Sequence, residues 1–98
     1  MVTGNNEIEA LEDAMFQYNL FEKFNLNKIG VFGSVARGEH SNDIDLLIED
    51  SIDYKLLSNL RDELQHHLNK RIDIVMAKYA NPIVLHRASK EIVYVKRR

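Results

Sequence analysis

Between Lys28 and Glu49 the chain reads "KIGVFGSVARGEHSNDIDLLIE". Two short apolar runs, 28–32 and 44–49, flank a glycine-punctuated join over 33–43. Runs this short, bounded by turn residues, predict buried strands. The join is too short for a helical crossover, so the two strands need not be parallel. The rest of the chain has to be arranged around this pair.

The flanking segments supply helices and two further strands. Ile8, Leu11, Met15, Tyr18 and Phe21 recur at steps of three and four, which predicts a helix over 7–24. Asn6, with Glu9 three residues on, is its capping signal. Residues 54–68 form the clearest helix, with Leu56, Leu57, Leu60, Leu64 and Leu68 on one stripe and Ser51 or Asp53 as cap. "RIDIVMA", 71–77, predicts a third strand, placed centrally by its apolar content. Asn81 and Pro82 open a short helix, because proline at the first helical position removes an N–H that has no partner there. "EIVYV", 91–95, predicts a fourth strand, rich in β-branched residues. The order α-β-β-α-β-α-β predicts a single α/β (α+β) domain over residues 1–98, a mixed, open sheet of about four strands flanked by helices.

Composition excludes several classes. With 98 residues and 45% hydrophobic content, the chain is a folded domain rather than a disordered tail. It has no cysteine, which removes a disulfide framework and a thiolate zinc site. The N-terminus, "MVTGNNEIEALEDAMF", is acidic and lacks the basic-then-apolar pattern of a secretory leader. No apolar stretch approaches the ~18 residues of a membrane span. A soluble, cytoplasmic protein is the expectation. The net charge of −2 hides an asymmetry: residues 1–53 carry −8 and residues 54–98 carry +6. Either the halves complement one another in the fold, or an acidic, cation-attracting site lies beside a basic surface for phosphate or a partner. The basic half alone would suit an RNA-binding module with salt-sensitive affinity.

Asp43 and Asp45 alternate with Ile44 and Leu46, so both carboxylates share one face of the strand and the aliphatic residues fill the other. Two close carboxylates repel and raise one pKa, which a divalent cation relieves. Mg²⁺ takes oxygen ligands, typically one or two carboxylates plus substrate phosphates. The alternative is a strand start that frays into water. Asp73 lies between Ile72 and Ile74, where an ionised carboxylate is costly unless it is paired or metal-bound. It either joins the same site or is satisfied by Arg71 or a backbone donor. Three carboxylates suit two-metal phosphoryl chemistry.

"GVFGSVARG" is neither a P-loop nor a dinucleotide fingerprint. Its logic is similar: Gly33 lets the backbone turn sharply after a strand and bring N–H groups to an anion. Ser34 caps a following helical turn or donates to phosphate, and Arg37 offers a planar cationic fork or lies in solvent. His40, in the same join, touches phosphate or metal or is simply exposed. His66 and His67 follow the leucine stripe and face solvent, and His86 has no partner at metal-ligand spacing.

"GSVARG" followed by "NDIDLLI" resembles the signature of the DNA polymerase β-like nucleotidyltransferase superfamily. Over nearly its whole length the chain is similar to the minimal nucleotidyltransferase (MNT) proteins. The resemblance implies that Gly33 and Ser34 hold a triphosphate and that Asp43 and Asp45 bind metal. It implies that Asp73 is the third acid, sharing a metal and helping to deprotonate the acceptor hydroxyl. Arg37 would contact phosphate. The implied reaction is Mg²⁺-dependent transfer of a nucleoside monophosphate, AMP from ATP, to a hydroxyl of a partner protein or RNA, with release of pyrophosphate. The resemblance further implies an antitoxin role toward a HEPN-domain protein, within a homo- or hetero-oligomer. One departure stands out: the eight residues "VARGEHSN" between Gly-Ser and D-x-D are fewer than the common pattern has, and Asn42 replaces its usual serine. The shorter join leaves open a catalytically degenerate fold that neutralises a HEPN-type partner by contact alone.

Overall fold

In the computed structural model, which describes residues 6–39 and 41–97, the first two strands lie side by side. Strands β1 (Lys28–Phe32) and β2 (Asp43–Ile48) are antiparallel, with Val31 opposite Leu46 and Phe32 opposite Asp45. Strand β3 (Arg71–Met76) runs parallel to β2, and β4 (Val93–Lys96) runs antiparallel to β1. The order across the sheet is β3-β2-β1-β4, a mixed and open sheet of four strands. Strand β3 is therefore an edge strand, not the central one its apolar content suggests. Its pairing with β2 alone leaves the Asp73 side chain 46% exposed, so no deep desolvation cost falls on it.

Alternation along the strands sends Ile44, Leu46 and Ile48 to one face, together with Ile29, Val31 and Ile72. Helices α1 (Asn6–Gln17), α2 (Leu20–Lys23) and α3 (Tyr54–Leu68) cover that face with Leu11, Met15, Leu20, Leu60 and Leu64. Each such side chain contributes about 1.5–3 kcal/mol by leaving water. Asp53 caps α3 by accepting from Lys55 N at 2.8 Å, and Asn69 ends it in the left-handed region at φ 54°. Helix α4 (Pro82–Ser89) starts as expected, with Asn81 Oδ1 accepting from Ile83 N at 2.8 Å. Among the described residues, no helix is long and apolar enough to cross a membrane.

The helix expected over 7–24 is broken in two. Asn19 adopts φ 54°, a conformation that asparagine tolerates better than most residues, and the helix restarts after it as α2. The break takes Tyr18 off the buried stripe. Tyr18 is 43% exposed and stacks on His67, ring centroids 3.7 Å apart, so His67 is not the free surface histidine expected. Leu56 likewise leaves the leucine stripe for solvent. The capping side chain of Asn6 and all of His40 lie outside the described residues.

The other face of the sheet carries Phe32, Asp43, Asp45, Leu47, Asp73 and Tyr94 by the same alternation. Helix α4 and the 3₁₀ turn before it (Ala77–Tyr79) approach this face. They leave a groove of about 570 Å³ lined by Leu47, Leu85, Ile92 and Tyr94. Tyr94 is fixed there by donating to Glu49 Oε2, with Lys28 Nζ 4.4 Å above its ring.

Candidate active site

Gly33 closes β1 with φ 77°, a backbone that L side chains rarely adopt. A Cβ at this position would stand 2.5 Å from Asp45 Oδ2, so the turn and the carboxylate can approach only because residue 33 has no side chain. From Ser34 the chain coils once. Arg37 N donates to Ser34 O at 3.1 Å, and Glu39 N donates to the same carbonyl at 3.0 Å. Val35, 1% exposed, anchors the coil in the core, and Gly38 ends it with φ 82°.

The short join into β2 is pinned from the far side. Lys70 Nζ donates to Ser41 O at 2.8 Å, and Arg71 N donates to Asn42 O at 3.0 Å. The same contacts set the start of β3 beside the start of β2. Asp45 then faces Asp73 directly across the parallel pair, and Asp43 faces Arg71.

Asp43 is exposed at the strand end and Asp45 is half-buried behind it. Burial raises the pKa of Asp45, and the negative charges of Asp73 and Asp43 raise it further. Asp73 has a partial counter-ion in Arg71, with Nε 3.6 Å from Oδ1. Among the described residues, no three acidic or histidine side chains already converge tightly enough to enclose a metal ion. The donor set nevertheless fits a hard divalent cation: three carboxylates on neighbouring strand ends, with mutual repulsion concentrated on Asp45. Asp73 also lines a cleft of about 240 Å³ at the sheet edge, with Tyr54, Ser58 and Arg61.

Arg37 is not a free cation. Its Nε donates to Glu39 Oε2 at 3.1 Å, and its Nη1 donates to both Glu91 oxygens at 3.1 and 2.9 Å. Glu91 and Glu39 together raise its already high pKa. Glu91 is 54 residues away in sequence, and no local pattern announces the pairing. Gly30 is a second residue that no motif marks. A Cβ there would collide with Ile92 Cδ1, so this glycine admits the chain that brings Glu91 in.

A Gly-Ser turn thus stands against the D-x-D of an antiparallel neighbour, with a third acid in register on the parallel strand. Residues 17–98 match the family described as "Polymerase beta, Nucleotidyltransferase", and the chain belongs to that family. It is 34% identical over 93 residues to the protein adenylyltransferase MntA of Thermococcus cleftensis, spanning 91% of this chain and 93% of that protein. Its fold is similar to a chain of a toxin–antitoxin crystal structure with AMP-PNP (TM-score 0.69, 24% identity, 89% of this chain and 73% of that one). It is also similar to a chain of the tri-AMPylated Shewanella oneidensis HEPN toxin in complex with MNT antitoxin (TM-score 0.58, 20% identity, 87% and 73%). At these identities the two structures establish the fold.

Proposed function

We propose that this chain transfers AMP from ATP to a hydroxyl of a partner protein, and that the partner is a HEPN-domain protein to which it acts as antitoxin. The observation that carries the reading is the in-register pair Asp45–Asp73, set beside the Gly33 turn and extended by Asp43. The name of the Thermococcus cleftensis relative supports protein adenylylation, and the HEPN toxin complex supports the partner class.

The acceptor oxygen attacks the α-phosphorus, the bond from that phosphorus to the bridging oxygen breaks, and pyrophosphate leaves. Gly33 and Ser34 bring backbone N–H groups and a hydroxyl to the triphosphate. Asp73, half-exposed and nearest the open sheet edge, takes the acceptor proton. Mg²⁺ held by Asp43, Asp45 and Asp73 would neutralise triphosphate charge and favour the ionised acceptor oxygen. The Arg37 side chain is engaged with Glu91 through Nη1 and with Glu39 through Nε.

The test is transfer of label from α-labelled ATP to the co-purified partner. Labelling by wild type and none by Asp45→Asn is expected, whereas equal labelling by both removes the assignment. A second reading, neutralisation by contact alone, is favoured by the Arg71–Asp73 ion pair, which gives the third acid a counter-ion within the chain. It predicts that Asp43→Asn/Asp45→Asn suppresses toxicity as well as wild type does.

A further inference from the structure

Arg37 lies one helical turn beyond the Gly33–Ser34 corner, and its amide is hydrogen-bonded to the Ser34 carbonyl. The Arg37 side chain is therefore attached to the chain one backbone hydrogen bond from Ser34. What holds it is Glu91, on the short segment joining α4 to β4. Glu91 is in turn fixed at both sides. Its amide donates to Ala88 O in the last turn of α4 at 3.1 Å, and the next residue, Ile92, packs on Gly30. Two elements distant in sequence are thus tied at one point: the turn expected to hold the triphosphate, and the end of the helix that walls the outer groove.

The geometry points to the Arg37–Glu91 pair as a clasp that positions the Gly33–Ser34 turn for nucleotide, with Arg37 acting through the turn rather than on a phosphate. The inference rests on the nucleotidyltransferase reading of the site. Three observations favour a clasp over a phosphate ligand. Glu39 takes the Nε of Arg37 and both Glu91 oxygens take its Nη1, so two of its three nitrogens are already engaged within the chain. A phosphate placed at Arg37 would lie against two carboxylates, which repel it. Glu39 sits on the turn itself and cannot tie it to α4, so of the two carboxylates Glu91 alone makes the link. The pair is partly exposed, with side chains 48% and 30% accessible, so its weight in global stability is small. A positioning role needs no more than that, because small displacements of a binding group are costly to function.

A charge exchange separates the two roles. Binding of AMP-PNP with Mg²⁺ to the full chain is measured by calorimetry for wild type, Arg37→Glu, Glu91→Arg and the double exchange. As a clasp, each single reversal weakens affinity by about tenfold, in the range seen for residues that orient a binding group. The double exchange then binds more tightly than Arg37→Glu alone, because the two substituted side chains re-form the pair with their charges swapped, while repulsion from Glu39 at position 37 keeps it below wild type. A double exchange as weak as Arg37→Glu alone overturns the clasp, since a phosphate ligand cannot be replaced by glutamate. Glu91→Gln separates the same two roles should a reversal fail to fold. It weakens binding if the clasp holds, and unchanged or tighter binding overturns it. Wild type that binds no nucleotide would remove the reading of the whole site, whereas wild-type binding without recovery removes the clasp alone.

Discussion

Gly33 and Asp45 share one space: a Cβ on Gly33 would lie 2.5 Å from Asp45 Oδ2. The turn that ends β1 and the carboxylate on β2 are thereby a single device. Gly33→Ala carries two costs, about 1–2 kcal/mol for the left-handed backbone and a further one for displacing Asp45. In an Asp45→Ala background the second cost vanishes. A double-mutant cycle by denaturant unfolding should therefore show coupling of roughly 0.5–1 kcal/mol, and strict additivity contradicts the contact.

Asp45 makes the metal-free protein less stable as pH rises. Burial first, then the charges of Asp73 and Asp43, hold its folded-state pKa above that of the unfolded chain. The folded state therefore binds the proton more tightly, and stability falls as pH climbs from the ordinary carboxylate range through the folded pKa. Asp45→Asn removes this slope. Without metal it should melt no lower than wild type at neutral pH, with the difference closing toward acid. A melting temperature clearly reduced by the substitution at neutral pH assigns Asp45 a structural role instead.

Divalent cation and nucleotide should reverse that order. Mg²⁺ with AMP-PNP at about 100 times its Kd stabilises the binding form by about 2.7 kcal/mol. Wild type should gain this in a thermal melt, and Asp43→Asn/Asp45→Asn should not. An equal shift in both proteins places the ligand away from the D-x-D.

The break between α1 and α2 rests on Asn19 at φ 54°. Asn19→Gly should leave the melting temperature nearly unchanged, because glycine accepts this backbone freely. Asn19→Val should cost roughly 1–2 kcal/mol. Similar losses from the two substitutions would place the break elsewhere.

The positions of these residues also show what can be read without coordinates. Asp43 and Asp45 alternate with Ile44 and Leu46, and a period of two fixes their common face. The stripe of Leu57, Leu60 and Leu64 fixes α3 in the same way, and its cap, Asp53, is one of the two candidates the sequence offers. Asn19 escapes such reading because the apolar steps of three and four run through it unbroken, while the left-handed turn is a single-residue event. The edge position of β3 escapes it because strand order is a tertiary property, and Ile72, Ile74 and Met76 need cover on one face only. Pairing of Arg37 with Glu91 depends on two strands and two helices returning the chain to the turn. No spacing within "GSVARG" encodes that return.

If the three aspartates perform chemistry on a partner rather than merely shape a binding surface, the partner itself must carry the change. Intact mass of a co-expressed HEPN-domain partner reads it out. Purified with wild type, the partner should carry the added mass of one or more AMP groups, and purified with Asp43→Asn/Asp45→Asn it should carry none. A partner of unmodified mass in both preparations, still bound and still silenced, contradicts catalysis and leaves contact as the means of neutralisation.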